Sequence, residues 1–368
     1  MVTAKPSLDL LRSMTDEHVL RAIMRHGRLT RTEIAALTGI SKPTISDGVR
    51  RLTESGVLAD TGERTTGRGR AGSYYSLVPA TGAALVAEIT PRGVLGEAVD
   101  AFGDVVAGAR AELGRAPGRE KAAAALNEVA GQLADRVPLR CAVISAADPV
   151  DRSTGRLVHL PDEPFLVGDL DPVAVLAPFV SGEIEVDNDV NWSARAERDG
   201  GCAAGVEDFV YLHLGEGLGA AVVADGEVRR GGNGLTGEIA HVITTGPGGV
   251  AMPFTEFFRA TDLRQPGTAA VDVDALRARC SDGLLPQLAE AIRGVVLALI
   301  AFTDPRLVVL GGTWGRDPAL LGALADQATS PREVAYARAE LESPEIAGAR
   351  SHAIDALRDR IIRQAAER

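Results

Sequence analysis

Two short helical segments separated by a glycine turn constrain this chain most strongly, because each carries its own start and stop signals. In "TRTEIAALTG", Thr30 and Glu33 have the spacing of a capping box, and Gly39 is a typical helix terminator. In "SKPTISDGVRRL", Ser41 can cap a second helix and Pro43 suits its first turn. Apolar residues at helical spacing predict the buried faces of both helices, which are Ile34, Leu37, Ile45, Val49 and Leu52.

This pattern predicts an N-terminal winged helix-turn-helix. A further helix over "DEHVLRAIMRHG" precedes the pair, and two strands joined by the glycine-rich tip "RTTGRGR" follow it as a wing. In such a fold the second helix enters the major groove, and an arginine-bearing loop can enter the minor groove. The predicted DNA-binding residues are Ser41, Lys42, Thr44, Ser46, Arg50 and Arg51 on the helix and Arg64, Arg68 and Arg70 on the wing. The alternative is a helical hairpin followed by a solvated basic loop.

The net charge of −11 is distributed unevenly along the chain. Residues 1–72 contain 12 lysines and arginines against 8 acidic residues, whereas the remainder contains 27 against 42. Because a DNA duplex repels acidic surfaces, only the N-terminal segment is predicted to contact nucleic acid.

Composition favours a globular protein of the cytoplasm. The apolar content of 45% and the charged content of 24% are ordinary globular values. Cys141, Cys202 and Cys280 are isolated, so neither a disulfide framework nor a compact thiolate zinc site is expected. The N-terminal segment has no apolar signal-peptide core, and the apolar run at 294–302 is too short to span a bilayer. We therefore expect no membrane association.

Beyond residue 78 the sequence changes to short strands with glycine turns, alternating with helices. Strand-like segments cluster after residue 82 and again after residue 206, and this weak internal repeat predicts two α/β lobes with a cleft between them. The predicted domains are the winged helix at 1–78, the first lobe at 79–187 and the second lobe at 188–349. The C-terminal helix at 350–368 is a candidate to complete the first lobe.

Five stretches of the sequence resemble the ROK family, named for repressors, open reading frames and kinases. They are "GRGRAG", "DPVDRSTGRLVHLPDEPF", "VDNDVNWSARAE", "LGEGLGAAVVADGEVRRGGNGLTGEIAH" and "VVLGGTW". The resemblance covers nearly the whole chain, and the winged helix ahead of the core is a feature of the family's repressor branch. It implies an α/β fold in which a winged helix-turn-helix precedes a two-lobed, ribonuclease H-like, actin-type sugar-kinase core.

The resemblance also implies a sugar site in the cleft. Carboxylates and amides hydrogen-bond sugar hydroxyls, and one carboxylate can act as the base of a phosphoryl transfer. The residues that match the family's sugar-binding positions are Asp162, Asn188, Asp189, Glu238, His241 and Glu256. Asp162 stands where the family usually has an asparagine, and Ala240 replaces the glycine of the family's E-x-G-H motif. Taken singly, each acidic residue is equally well explained as a solvated loop carboxylate.

The phosphate-binding turns depart from the family pattern. Kinases of the family open their core with a D-x-G-x-T loop, whereas Glu88 replaces the aspartate here and Pro91 removes a backbone donor. A second turn, G-T-G in the kinases, reads "GEG", and Glu216 places negative charge where nucleotide phosphates would lie. We predict that kinase activity is lost, that Asp189 is a vestigial base and that the chain has no catalytic residues.

The family's structural zinc is also predicted to be lost. In the family, a histidine at the position of His241 joins three cysteines from a C-x-C-G-x-x-G-C segment, whereas this chain reads "TTGPGGVAMPFTEFF" there, without cysteine. We expect no metal and no other cofactor, and we expect "VAMPF" to replace the metal by apolar burial.

These features predict a sugar-responsive transcriptional regulator, most simply a repressor. Its expected partners are double-stranded operator DNA, a sugar or sugar derivative, and further copies of itself in a homodimer or homotetramer. One alternative is an active sugar kinase with an accessory N-terminal domain. Another is a regulator that has lost sugar binding and responds to a different signal.

Overall fold

The computed structural model describes residues 8–66, 71–114, 118–160, 168–326 and 334–367. The N-terminal part consists of α1 (Leu8–His26), β1 (Leu29–Thr30), α2 (Arg31–Thr38), α3 (Lys42–Glu54), β2 (Leu58–Arg64) and β3 (Ser73–Leu77). Its three strands form an antiparallel sheet in the order β1-β3-β2. The predicted winged helix-turn-helix is therefore confirmed. Arg68 and Arg70, predicted for the tip of the wing, lie outside the described residues.

The predicted caps define the two helices of the helix-turn-helix. The Thr30 hydroxyl accepts from the Glu33 amide and the Glu33 carboxylate accepts from the Thr30 amide, which completes the capping box of α2. Gly39 ends that helix with a φ of 71°, a left-handed conformation that glycine adopts without strain. Ser41 caps α3, and its hydroxyl accepts from the Thr44 amide. Local sequence signals therefore set the lengths of both helices.

One apolar cluster joins α1, α2 and α3 to the wing. Its members in this part of the chain include Val19, Leu20, Ile23, Ile34, Ile45, Val49, Leu52 and Leu58. Leu37 was predicted to belong to the buried face, but its side chain is 54% exposed. α2 has only 8 residues, and Ile34 is the one that it buries. So short a helix turns only one of its apolar positions fully into the core.

The first lobe is built on a five-stranded sheet in the order β6-β5-β4-β7-β8. Its elements are β4 (Ala83–Thr90), β5 (Gly93–Val99), β6 (Val105–Glu112), α4 (Arg119–Ala134), β7 (Leu139–Ala146), α5 (Pro172–Leu176) and β8 (Ile184–Asn188). Strands β4, β5 and β6 form an antiparallel meander, and β7 and β8 continue the sheet in parallel with β4. Parallel pairing brings Glu88 beside Ser145 and Ser145 beside Asp187.

The second lobe repeats this topology in its sheet, which has the order β11-β10-β9-β14-β15. Its strands and helices are α6 (Asp189–Gly200), β9 (Phe209–Leu214), β10 (Leu218–Ala224), β11 (Glu227–Val228), β12 (Ile243–Thr245), β13 (Ala251–Pro253), α7 (Phe254–Ala260), α8 (Val273–Arg279), α9 (Leu285–Thr303), β14 (Leu307–Gly311), α10 (Pro318–Asp326) and β15 (Ala335–Arg338). Again an antiparallel meander is extended by two parallel strands. The predicted two-lobed α/β core is therefore confirmed.

The apolar run at 294–302 lies within α9, which is longer than the run itself. By length and composition alone α9 could cross a membrane, with a mean hydropathy of 1.6, and it is the one such helix in the described part of the chain. Leu288, Ile292 and Val295 are nevertheless buried in the core of the second lobe. The helix is apolar because it packs in that core.

The last helix, α11 (Pro344–Ala366), leaves the second lobe and packs against the first. It contacts β4, β7 and α6, and it also contacts α1 of the winged helix. Ala349, Ala353, Leu357 and Ile361 on α11 belong to the same apolar cluster as the N-terminal helices. A single helix therefore joins the first lobe to the winged helix-turn-helix.

Candidate functional site

A cleft of about 760 Å³ lies between the two lobes. The first lobe contributes the ends of β4 and β8 to its wall, and the start of α6, which follows β8 directly, lies beside them. The second lobe contributes the β9–β10 turn, the segment 234–238, the start of α8 and the turn after β14. The start of α11 completes the wall with Ser343, Pro344 and Glu345. Residues from distant parts of the sequence therefore meet in one cavity, which is large enough for a small ligand.

Asn188 and Asp189, two of the predicted sugar-site residues, line this cleft. The Asn188 side chain caps α6 by accepting from the Val190 amide, and its amide group donates to the carbonyls of Ala146 and Asp148 at 3.3 and 3.2 Å. The protein thus uses the hydrogen-bonding groups of Asn188 to fix the junction between β8 and α6. That junction sets the position of Asp189.

Three carboxyl groups meet on the first-lobe side of the cleft. Burial raises the pKa of Asp189 to about 8, and the charges of Glu345 and Glu88 add to the shift. Burial and the charge of Glu345 raise the pKa of Glu88 to about 7. Burial also raises the pKa of Glu345. From the sequence, Glu88 was interpreted only as part of an altered phosphate turn, and Glu345 was missed because nothing local places the start of α11 beside α6.

The remaining predicted ligand-binding residues are distributed differently. Glu238 lines the cleft, whereas His241 and Glu256 are not among its lining residues. The Glu256 carboxylate is engaged by Arg259 and by Arg264, the latter at 3.1 Å, and these arginines lower the pKa of Glu256. The side chain of His241 is exposed. Asp162 lies outside the described residues, so the structure brings together three of the six predicted residues.

His213 is a cleft residue that sequence reasoning missed. It lies in β9, lines the cavity, and has a pKa lowered to about 4 by burial. The imidazole is therefore neutral at physiological pH and can both donate and accept a hydrogen bond. Its position in an otherwise apolar strand, "FVYLHL", was the available signal.

The two altered phosphate turns face each other across the cleft. The Thr90 hydroxyl accepts from the Gly93 amide and donates to the Gly93 carbonyl, so it closes its own β-turn. Arg92 in the same turn lies 3.9 Å from Glu216 of the β9–β10 turn. This ion pair joins the β4–β5 turn to the β9–β10 turn.

The segment that matches the family's zinc-binding segment contains the hairpin β12–β13, and it has no cysteine that could hold a metal ion. The described residues hold no group of three or more histidine, cysteine, aspartate or glutamate side chains that could bind a metal ion. Phe254 at the end of "VAMPF" is fully buried, whereas Val250 at its start is 57% exposed. Apolar burial is thus confined to the second half of this segment.

Most of the described residues predicted to bind DNA lie at the surface of the winged helix-turn-helix. Ser41, Lys42, Thr44 and Arg50 are exposed, and Ser46 is half-buried. Arg50 lies 3.4 Å from Asp47 and 3.3 Å from Glu54, and Arg64 on the wing lies 2.8 Å from Asp60. Exposed ion pairs of this kind are weak, so both arginines can exchange them for phosphates.

Arg51 has a different place from the one predicted. Its guanidinium makes two hydrogen bonds to Asp16 of α1, at 3.1 and 2.6 Å, and so points toward α1. Two further arginines, which sequence reasoning missed, flank the wing. Arg28 lies over the ring of Tyr74 at 5.5 Å, and Arg31 lies over Tyr75 at 4.9 Å.

Both parts of the chain are similar in sequence to known protein families. Residues 118–256 match the ROK family, and residues 14–59 match the winged helix-turn-helix DNA-binding family. The bifunctional enzyme NanE/NanK of Brucella suis biovar 1 (strain 1330) is 30% identical over 155 residues, which are 39% of this chain and 29% of that enzyme. The match therefore spans less than a third of that relative's length. The xylose repressor of Caldicellulosiruptor bescii is 22% identical over 237 residues, 63% of this chain and 59% of the repressor.

Solved structures show the same arrangement of domains. The crystal structure of a ROK family transcriptional regulator, a homologue of the E. coli MLC protein, superposes with a TM-score of 0.64 at 17% identity. The superposition covers 96% of this chain and 99% of that one, so it includes the N-terminal domain as well as both lobes. Residues 118–256 are therefore similar to the ROK family, residues 14–59 are similar to a winged helix-turn-helix DNA-binding family, and the chain as a whole shares the fold of that regulator.

Proposed function

We propose that this protein is a transcriptional regulator, acting in the cytoplasm as a repressor, that binds operator DNA through α3 and the wing and responds to a sugar or sugar derivative in the interlobe cleft. One observation carries the proposal: the same chain contains a winged helix whose helix α3 exposes polar residues and a cleft large enough for a small ligand. The names of relatives add support, because a xylose repressor matches 63% of the chain.

The cleft is proposed to bind its sugar without phosphorylating it. Glu216 and Pro91 stand where the family's kinases have phosphate-binding turns, and the Thr90 hydroxyl is used within its own turn. A carboxylate close to a nucleotide repels its phosphates, and a proline offers them no amide. We further propose that the site holds no zinc; stoichiometric zinc in the purified protein would contradict this part.

A dimer or tetramer is proposed as the DNA-binding form. Two winged helices related by a two-fold axis require two matched half-sites, one helical turn of DNA or a multiple of it apart. Footprinting on the DNA upstream of the protein's own gene tests this directly. We expect a protected pseudo-palindrome that Lys42→Ala weakens, whereas absence of protection at any concentration that shifts non-specific DNA would contradict the proposal.

A sugar kinase is the second candidate, and one specific observation favours it. The raised pKa of Asp189, about 8, suits a general base at neutral pH, and NanE/NanK enzymes are among the relatives. Under this alternative, the wild-type protein transfers the γ-phosphoryl group of ATP to a sugar hydroxyl and releases ADP and a sugar phosphate, whereas Asp189→Asn does not. The proposed regulator shows no sugar-dependent turnover in either form.

A regulator that answers a signal other than a sugar is the third candidate. It is favoured by the location of His241 and Glu256 outside the cleft lining and by the capping role of Asn188. Glu238→Gln distinguishes the two regulators, because Glu238 lines the cleft and belongs to a different domain from α3. Loss of the sugar response in this variant supports a sugar site, whereas an unchanged response to the physiological signal supports the third candidate.

A further inference from the structure

Arg230 connects the cleft wall of the second lobe to the first lobe. It lies just after β11, at the start of a segment, residues 229–238, that ends in the cleft at Glu238. Its Nη2 atom is 2.9 Å from Glu185 Oε1 and 2.7 Å from Asp187 Oδ2, both on β8 of the first lobe. The Asp187 side chain is only 3% exposed, so this interlobe ion pair is shielded from water.

Glu185 contacts both Arg230 and α11. While one carboxylate oxygen accepts from Arg230, the other lies 2.7 Å from His352 Nε2. The hydrogen bond from His352 and the charges of His352 and Arg230 lower the pKa of Glu185 to about 2. Because the carboxylate is ionised, His352 Nε2 must carry the hydrogen and donate it. The His352 ring also packs against Trp192 of α6, with ring centroids 5.2 Å apart.

The helix that carries His352 reaches the DNA-binding domain two turns later. Leu357 and Ile361 share an apolar cluster with Val19, Leu20 and Ile23 of α1. Asp359 of α11 lies 3.3 Å from Arg21 of α1. Contacts between side chains therefore run without a break from Arg230, beside the cleft, to α1 of the winged helix-turn-helix.

The Arg230 side chain can move away from β8 without leaving a buried carboxylate unpaired. When it withdraws, Asp187 keeps Arg195, whose Nη1 lies 2.9 Å away, and Glu185 keeps His352. An unpaired buried carboxylate is costly, whereas one that keeps a partner is not. Release of Arg230 would therefore leave both carboxylates with a partner.

We propose that Arg230, Glu185 and His352 are positioning residues that couple the cleft-lining segment 229–238 to the DNA-binding domain through α11. A ligand that contacts Glu238 displaces or holds this segment, and so changes how often Arg230 engages β8. The resulting change in Glu185 and His352 alters the packing of α11 on α1. The role in regulation rests on the proposed function, but the mechanical coupling does not.

Hydrogen–deuterium exchange on the full chain tests the coupling without DNA or ligand. In Arg230→Ala, we expect amides of α11 around His352 and amides of α1 to exchange at least about threefold faster than in the wild type. Glu185→Gln and His352→Phe should do the same, the latter keeping a ring against Trp192. Arg229→Ala is the matched control, because Arg229 pairs with Asp225 within the second lobe. It should leave α11 and α1 unchanged.

Exchange that rises only within 229–238 and leaves α11 and α1 unchanged would overturn the proposal. If Arg230→Ala does not fold, Arg230→Lys keeps one cation and must show a smaller change in the same helices. Binding to the DNA upstream of the gene then separates the two claims. Arg230→Ala should change the dissociation constant by about threefold or more, and adding His352→Phe should have little further effect. If α11 and α1 respond but no variant, nor the wild type, binds DNA, the coupling stands and the proposed function fails.

Discussion

Arg51 of α3 and Asp16 of α1 form a two-point ion pair, with donor–acceptor distances of 3.1 and 2.6 Å. The side chains are 31% and 15% exposed, so the pair is partly shielded from solvent. This pair ties the recognition helix α3 to α1. Arg50, the preceding residue, projects from the same helix into solvent and makes only exposed pairs.

The two arginines are therefore predicted to separate stability from DNA binding. Arg51→Ala leaves the Asp16 carboxylate without its partner, and we expect a loss of about 1–2 kcal/mol in the free energy of unfolding. Arg50→Ala should change stability little but weaken DNA binding and reduce its dependence on salt. Urea denaturation and salt titrations of DNA affinity measure the two effects. Equal stability losses in both variants would contradict this assignment.

The capping box of α2 gives a prediction about local stability. Thr30→Ala removes the side chain that accepts from the Glu33 amide, and we expect a loss of about 1 kcal/mol. Glu33→Gln keeps an oxygen that accepts from the Thr30 amide and serves as the matched control. Thermal unfolding of both variants checks the difference. If Glu33→Gln is as destabilising as Thr30→Ala, then charge, rather than the hydrogen bonds, stabilises the helix start.

The carboxyl cluster predicts how stability depends on pH. The folded-state pKa values of Asp189 and Glu88, about 8 and about 7, lie above their unfolded values near 4. Between these pKa values the folded chain binds more protons than the unfolded chain. The contribution of the two carboxyl groups to the free energy of unfolding is therefore greatest at low pH and is lost as pH rises. Asp189→Asn removes this loss. As pH rises from 5 to 8, its free energy of unfolding should therefore increase by about 1 kcal/mol or more relative to that of the wild type.

Glu183→Gln is the control for this experiment, because it removes an exposed carboxylate just before β8, outside the cleft. Denaturation series at several pH values give the comparison. If the difference between Asp189→Asn and wild type stays constant across this range, Asp189 is ionised in the folded protein and the account of the cluster is wrong.

Gly237 is predicted to be essential for the shape of the cleft. Its φ is 98°, and a Cβ atom there would lie 1.7 Å from the Ala220 carbonyl oxygen. Gly237→Ala must therefore displace segment 229–238 from β10. Gly226→Ala is a matched control, since its φ of 74° is also left-handed but nothing lies within 4 Å of the added carbon.

We expect Gly226→Ala to cost about 1–2 kcal/mol from backbone strain alone and Gly237→Ala to cost clearly more. Denaturant unfolding measures both costs, and sugar binding measured by calorimetry should be lost only in Gly237→Ala. Similar losses in the two variants would show that the segment moves away from β10 without difficulty.

Local signals made much of the fold predictable. Thr30, Gly39 and Ser41 act within a few residues of their own positions, so the helix-turn-helix could be placed from the sequence alone. The buried face of α2 was less predictable, because periodicity marks Leu37 as apolar but cannot show whether a partner covers it. The two lobes followed from recurring strand clusters, although their common strand order became visible only in the structure.

The cleft residues were predictable only where a local sequence motif marks them. Asn188 and Asp189 sit at a strand–helix junction with a recognisable motif, and the structure places both at the cavity. Glu345 comes from the start of the last helix, and no sequence pattern reports that it meets Asp189. Glu256 fits the motif, but its carboxylate pairs with Arg259 and Arg264 and it is not among the cleft-lining residues, and motif spacing does not reveal such pairing.

The most direct test of the central claim is a titration of the wild-type protein on labelled DNA from upstream of its own gene, repeated with a panel of sugars and phosphosugars. The account predicts specific binding whose dissociation constant changes about tenfold or more with one sugar, and no such change in Glu238→Gln. Specific binding that no sugar in the panel alters, together with sugar-dependent ATP turnover, would contradict it and identify the cleft as that of an active kinase.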